Sequence, residues 1–229
     1  MLAAGQKGRI TFHSGVKKLR SQLLSISESF HSIQGEGHHA GRSTFFLRTQ
    51  GCSVGCTWCD TKYSWSKSKG SFFEIDLLYG QALSAIRSGA EIIVITGGEP
   101  LEQNLEGLCS TFRTLSTPIH IETSGTQPLS GSFDWITLSP KPHKLPLDEI
   151  LGLCHELKVI ITGPGDLEFA ESMRAEVARC KPNSSSNRTL FYLQPEWNNP
   201  VALTECVHFV KAHSPWRLSL QTHKMIDIP

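Results

Sequence analysis

Cys52, Cys56 and Cys59 stand at i, i+4 and i+7 in one short stretch, Cys52-Ser53-Val54-Gly55-Cys56-Thr57-Trp58-Cys59-Asp60-Thr61, and three thiols that must turn inward from a single loop constrain this chain more than any other feature. Gly55 lets the backbone bend between the first two thiols, and an aromatic, Trp58, precedes the third. Three thiolates make an incomplete metal cage. Zinc in a structural site takes four protein ligands, whereas a cubane 4Fe-4S cluster held by three cysteines keeps one iron open for an outside ligand. By itself the spacing leaves two alternatives open: a chance group of buried thiols, and a zinc site completed by a distant fourth ligand.

The β-branched and aromatic run Thr44-Phe45-Phe46-Leu47-Arg48-Thr49-Gln50 predicts a strand that delivers the chain directly to Cys52. Ahead of it lie an extended lead-in with Leu23, Leu24, Ile26 and Phe30, and a loop at Ile33-Gln34-Gly35-Glu36-Gly37 in which the two glycines discourage any helix. After the cysteines comes a polar Ser/Lys stretch over 64–71. Ile75, Leu77, Leu78, Ala82, Leu83 and Ile86 are then spaced for a helix that stops at Gly89. Glu91 to Thr96 reads as a buried strand broken by Gly97-Gly98-Glu99-Pro100. Further strands are predicted over 118–122, 134–138, 157–162, 189–194 and 217–221, and helices over 102–115, 147–154, 166–180 and 199–213. That makes about seven strands alternating with helices, which predicts an α/β fold with a parallel sheet and right-handed crossovers. The serine-rich segment Pro182 to Asn187 reads as a surface loop.

At 229 residues, 39% of them hydrophobic, the chain is long enough for one good core and is read as a single domain over 25–229. Seven cysteines, three of them in one loop, argue against a disulfide framework and for a reducing cytoplasm; Cys109, Cys154, Cys180 and Cys206 are expected to be buried, inert thiols. A net charge of +1 gives no general attraction to nucleic acid or membrane, and no run approaches the roughly 18 apolar residues of a membrane span. The first residues differ from the rest. Lys7, Arg9, Lys17, Lys18 and Arg20 occur with no acidic residue before Glu28, so residues 1–24 are read as a basic, flexible leader with no assigned purpose, and the remainder is slightly acidic.

Polar motifs fall where strands end, which is where α/β barrels carry their active-site loops. In Thr96-Gly97-Gly98-Glu99-Pro100 the glycines allow close backbone approach to a ligand and the carboxylate can take an ammonium. Glu122-Thr123-Ser124-Gly125, Ser139-Pro140-Lys141 and Gln194-Pro195 end later strands in the same way, so together they line one rim.

The three-cysteine loop followed by Gly97-Gly98-Glu99-Pro100 resembles the radical S-adenosylmethionine (SAM) superfamily. The resemblance implies a trimmed, open partial (βα) barrel in which SAM chelates the open iron and is cleaved to a 5′-deoxyadenosyl radical. A narrower resemblance rests on Gln34-Gly35-Glu36-Gly37, Arg48, Cys59-Asp60-Thr61 and Gln221-Thr222-His223-Lys224, a combination similar to the 7-carboxy-7-deazaguanine synthase family over about 25–229. It implies a lyase that converts 6-carboxy-5,6,7,8-tetrahydropterin to 7-carboxy-7-deazaguanine with loss of ammonia, on the path to queuosine. It also implies one 4Fe-4S cluster, recycled SAM, Mg2+, an electron donor such as flavodoxin or ferredoxin, and a homodimer.

Carried over by position, Cys52, Cys56 and Cys59 match the cluster ligands and Thr61 the Mg2+ ligand. The SAM site maps onto Trp58, Cys59, Asp60, Gly98, Glu99, Ser124, Ser139, Pro140, Lys141 and Gln194. The pterin site maps onto Ile33, Gln34, Gly35, Glu36, Arg48, Thr96 and His223, with Arg48 facing the substrate carboxylate and the α-carboxylate of Pro229 expected to accept N–H groups of the aminopyrimidine edge. No residue is assigned a catalytic role beyond these ligands. Two rivals differ in what they require. Glycyl-radical activases share the cysteines and the Gly-Gly-Glu-Pro run but lack the Gln34–Glu36 loop and the terminal Gln-Thr-His, and a zinc-stabilised nucleic-acid module needs a fourth ligand and a basic face.

Overall fold

The β-branched runs pair side by side in a single sheet because each parallel neighbour is reached through a crossover long enough to hold a helix. In the computed structural model, which describes residues 22–181 and 188–229, the sheet contains nine strands. Strands β2 (Ser43–Thr49), β4 (Ile92–Gly97), β5 (Ile119–Thr123), β6 (Trp135–Leu138), β7 (Glu156–Ile161), β8 (Leu190–Pro195) and β9 (Trp216–Leu218) are parallel neighbours in that order. β1 (Leu23–Ile33) runs antiparallel beside β2, and β3 (Ser71–Glu74) antiparallel beside β1. β3 and β9 are the two edges, so the sheet is an open partial barrel, as expected from the sequence.

Helices α1 (Ile75–Arg87), α2 (Glu106–Phe112), α3 (Asp148–Leu153), α4 (Gly165–Cys180) and α5 (Pro200–Ala212) fill most of the crossovers, and a single turn, α6 (Thr222–Met225), follows β9. Successive strand residues point to opposite faces. Phe45, Leu47, Ile93, Ile95, Ile119, Ile121, Leu157, Val159 and Leu193 belong to one buried core with Leu78, Ala82, Leu108, Phe112, Ile150, Val177 and Ala202 of the helices. Each large aliphatic side chain buried there contributes about 1.5–3 kcal/mol. The alternate residues Arg48, Thr96, Glu122, Lys158 and Gln194 line the concave side, where Phe30, Phe46, Ile92 and Val94 form only a small apolar patch. Towards the N-terminal ends of β5–β7 the concavity is filled by aromatic rings: His39 lies 4.5 Å from His120, and Trp135 stacks 5.2 Å from His155. Burial holds the His39 and His120 imidazoles down at about 4 and about 3, so this plug is neutral near pH 7.

Several expectations need correction. The lead-in before residue 33 is a full strand, and the polar stretch runs directly into β3, whose Phe72 is 68% exposed and therefore gives no buried-strand signal. The helix expected over 102–115 is cut into a 3-10 turn at Pro100–Glu102, α2, and a 3-10 turn at Arg113–Leu115. Gln103 makes the break by spending its side-chain amide on the Ser25 and Gln50 carbonyls, at 2.8 and 3.2 Å. The last strand ends at Leu218 and not at 221. Cys109, Cys154 and Cys206 are buried, but Cys180, at the end of α4, is only partly so. The basic leader up to residue 21 and the loop 182–187 lie outside the described residues. Among the described residues no helix is long and apolar enough to cross a membrane.

Candidate functional site

The C-terminal ends of the parallel strands open onto one cavity of about 720 Å3. Every expected site residue lines it except Pro140, which is buried beside it. Three groups of residues can be distinguished along its wall.

The first is the cysteine loop. Cys52, Cys56 and Cys59 are all free thiols facing the cavity. The loop is fixed from outside: the Ser53 N–H donates to Glu102 Oε1 at 2.6 Å, Lys144 Nζ donates to Ser53 Oγ at 2.8 Å, and His143 Nε2 bonds the Val54 carbonyl at 3.0 Å. From inside, Trp65 Nε1 donates to Cys59 Sγ at 3.3 Å. Burial pushes the Cys56 thiol up while the nearby Lys141 ammonium opposes the shift, and burial does the same to Cys52. Among the described residues no three His, Cys, Asp or Glu side chains are grouped to hold a single ion. A cubane asks for something different, one thiolate on each of three separate irons, and three free thiols on one fixed loop fit that demand. Thr61 follows at once, its hydroxyl 3.5 Å from Cys59 Sγ.

The second group is the rim of β4, β5, β6 and β8. Glu99 is 1% exposed, and its carboxylate accepts from the Leu101 N–H at 3.1 Å, Thr123 Oγ1 at 2.5 Å, the Ser124 N–H at 2.8 Å and the Ser124 hydroxyl. Gly98 is glycine for a steric reason: a Cβ there would collide with the carbonyl of Gly51, one residue before Cys52. The Gly-Gly-Glu-Pro turn and the cysteine loop are thus packed backbone to backbone. Lys141 donates to the Ser139 hydroxyl at 2.6 Å, and burial pushes its ammonium down.

The third group is the floor and far wall. Gln34 Nε2 donates to Glu122 Oε1 at 2.9 Å, Thr96 Oγ1 donates to Glu122 Oε2 at 3.0 Å, and Gln34 Oε1 accepts the Glu36 N–H at 3.1 Å. Glu36 accepts from the Lys158 ammonium on one oxygen and from Gln221 Nε2 on the other, the latter at 2.8 Å. Burial alone would raise the Glu36 carboxyl, but the Lys158 charge and these hydrogen bonds outweigh it and hold it at about 2. Burial likewise disfavours the Lys158 ammonium, and the carboxylates of Glu36, Glu122 and Glu156 overcome that and raise it. His223, on α6, packs so closely over Gly35 that any Cβ there would strike its ring. The Thr222 N–H donates to the Gly35 carbonyl at 3.0 Å, Ser32 Oγ donates to the Pro229 main-chain oxygen at 2.7 Å, and Lys224 pairs with Asp60. Ile33, at the end of β1, also lines this wall.

The cavity also contains Glu28, Tyr63 and Lys158, which belong to none of the expected motifs, and Glu122 and Gln221, which stood in the rim and terminal motifs without an assigned role. Lys158 had a signal in the sequence. Glu156-Leu157-Lys158 places two ionisable side chains on one face of a strand whose other face is apolar.

Comparison with known proteins adds the following. A family model described as the radical SAM superfamily matches residues 46–140. The chain is 44% identical over 223 residues to the 7-carboxy-7-deazaguanine synthase of Prochlorococcus marinus, covering 91% of this chain and 99% of the relative. It is 33% identical over 225 residues to the protein of that description from Escherichia coli, covering 89% and 98%. Its fold is similar to the crystal structure of QueE from Escherichia coli, with a TM-score of 0.79 at 28% identity, over 91% of this chain and 99% of that one.

Proposed function

This chain belongs to the 7-carboxy-7-deazaguanine synthase family of radical SAM enzymes, and from that premise we propose how its own residues carry out the conversion of 6-carboxy-5,6,7,8-tetrahydropterin to 7-carboxy-7-deazaguanine with loss of ammonia. The observation that supports this reading best is that one cavity joins three free thiols at one end to a polar floor of Gln34, Glu36 and Glu122 at the other. Both features that separate this family from protein-acting activases, the Gln34–Glu36 loop and the terminal motif through Gln221 and His223, line that same cavity.

Cys52, Cys56 and Cys59 would hold a 4Fe-4S cluster, which with SAM would supply hydrogen-abstracting radical chemistry at this end of the cavity. Glu99, immobilised by Thr123 and Ser124, would take the SAM ammonium, and Ser139, Lys141 and Gln194 would complete that side. Arg48 takes the substrate carboxylate, for which its planar fork is suited. Gln34, Glu36, Thr96 and His223 meet the pterin ring, whose N–H groups need acceptors. The Thr61 hydroxyl would offer one protein oxygen to a Mg2+ ion, a hard cation that needs few protein ligands. The remaining parts of the reading, a homodimer in the cytoplasm reduced by flavodoxin or ferredoxin, rest on the family.

Anaerobic turnover of the cluster-loaded protein with carboxytetrahydropterin, SAM and dithionite tests the reading by mass detection of the deazapurine. Protein that cleaves SAM yet forms no deazapurine would overturn it.

A further inference from the structure

We propose that Lys158 is a positioning residue for the substrate, acting through Glu36, which it fixes at the floor of the pocket; this rests on the functional reading above. Lys158 sits in the middle of β7, 4% exposed, between Leu157 and Val159, which face the opposite way into the core. A buried ammonium is tolerated only when paired, and this one is faced by Glu36 from the loop after β1, by Glu122 from β5 and by Glu156 from its own strand. Lys141 beyond β6 and His223 on α6 are the other charged or titratable groups around the pair.

Of the three carboxylates, Glu36 alone receives the lysine's hydrogen bond. Glu122 is already held by the neutral donors Gln34 and Thr96, and Glu156 by the His38 N–H at 3.1 Å. Lys158 on one oxygen and Gln221 on the other therefore aim the Glu36 carboxylate before any ligand arrives. An ionised carboxylate offers about four acceptor positions, so about two remain for ring N–H groups of a pterin. Without the lysine only the Gln221 hydrogen bond and the His223 ring would oppose the burial of Glu36, and its carboxyl would shift up from where it is now held.

The test is the pH dependence of KM for the pterin, measured on cluster-loaded Lys158→Met, Lys158→Arg and wild-type enzyme. Wild type and Lys158→Arg should show a KM that Glu36 leaves flat from weakly acid to weakly alkaline pH. Lys158→Met should have a KM raised roughly tenfold or more, because Glu36 is no longer aimed, and one that falls as pH rises through the upshifted Glu36 carboxyl, with kcat much less changed. A Lys158→Met profile parallel to wild type would overturn the proposal. If that variant does not fold, Glu36→Gln/Lys158→Met removes both buried charges. The double variant should fold with a raised, pH-independent KM, and a wild-type KM in it would be equally fatal. Carbon NMR of labelled glutamate, read for Glu36 with and without the lysine, needs no turnover. A Glu36 carboxyl unmoved by Lys158→Met overturns the coupling itself, whereas absence of deazapurine from wild type with a shifted Glu36 signal indicts only the reaction assignment.

Discussion

Arg48 Nε lies 2.6 Å from Glu28 Oε1 on the cavity wall, so the guanidinium assigned to a substrate carboxylate already holds a carboxylate of the protein. Tyr63 donates to the same glutamate oxygen at 2.8 Å, and the guanidinium carbon stands 5.9 Å from the centre of the Phe30 ring. Glu28 therefore orients the Nε side of the fork, leaving the terminal nitrogens for an incoming anion. We expect Arg48→Ala to raise the KM for the carboxypterin by roughly 10- to 100-fold, and Glu28→Ala by less than about tenfold, because it loosens the arginine without removing its charge. Steady-state kinetics of the two variants checks this, and an unchanged KM in Arg48→Ala would reduce the arginine to a wall residue.

Cys56 and Thr61 are neighbours in the loop with different chemistry. Cys56→Ala should abolish the cluster while leaving the fold, since the loop contributes little to the core and the lost sulfur costs on the order of 1 kcal/mol. Thr61→Ala should keep a full complement of iron and lose most of the Mg2+ activation. Iron analysis, a circular-dichroism melt and a Mg2+ titration of both proteins separate the two roles. A Thr61→Ala enzyme with undiminished Mg2+ response would remove the magnesium assignment.

Glu156 supplies a prediction that needs neither cluster nor substrate. Its side chain is buried beneath the pocket, and that burial raises its carboxyl from 4.5 to about 6, against the pull of Lys158. A carboxyl whose folded pKa exceeds its unfolded one contributes its stabilisation below the unfolded value, and loses it as pH rises through the folded value. Glu156→Gln, whose amide oxygen can still accept the His38 N–H, should thus become the more stable protein as pH rises from about 4.5 past about 6, gaining about 2 kcal/mol relative to wild type. Urea midpoints at about pH 5 and about pH 8 measure the difference; equal differences at both would show that Glu156 is not strained by burial.

The parallel strands were legible because buried β-branched runs such as Ile92–Ile95 have no other use in a chain of this composition. β1 and β3 were not recognised as strands: β3 is a short antiparallel edge with Phe72 exposed, and antiparallel β1 intersperses Ser25, Ser29, His31 and Ser32 among its apolar residues, so neither has an apolar run. α6 is one turn long, too short to show a helical period, and so Thr222–Met225 were given no element of their own after the strand expected over 217–221. In the site, residues with motif company were found together around the cavity. Glu28, Tyr63 and Lys158 have no such company: they come from β1, the loop after the cysteines and β7, and only the curvature of the sheet brings them to one place.

The alternation of core and pocket residues along each strand also bears on how the chain finds its pairing. In β5, Ile119 and Ile121 are buried in the core shared with the helices while Glu122 lines the cavity, and in β7 Leu157 and Val159 share that core with Lys158 between them. A slip of one residue in either strand would drive a charged side chain into hydrocarbon and strand a leucine or isoleucine among carboxylates. The polar residues of the cavity therefore act as proofreaders during folding, rejecting every frame but one. A single-residue insertion in β7 should yield aggregated chains, with little folded but inactive protein.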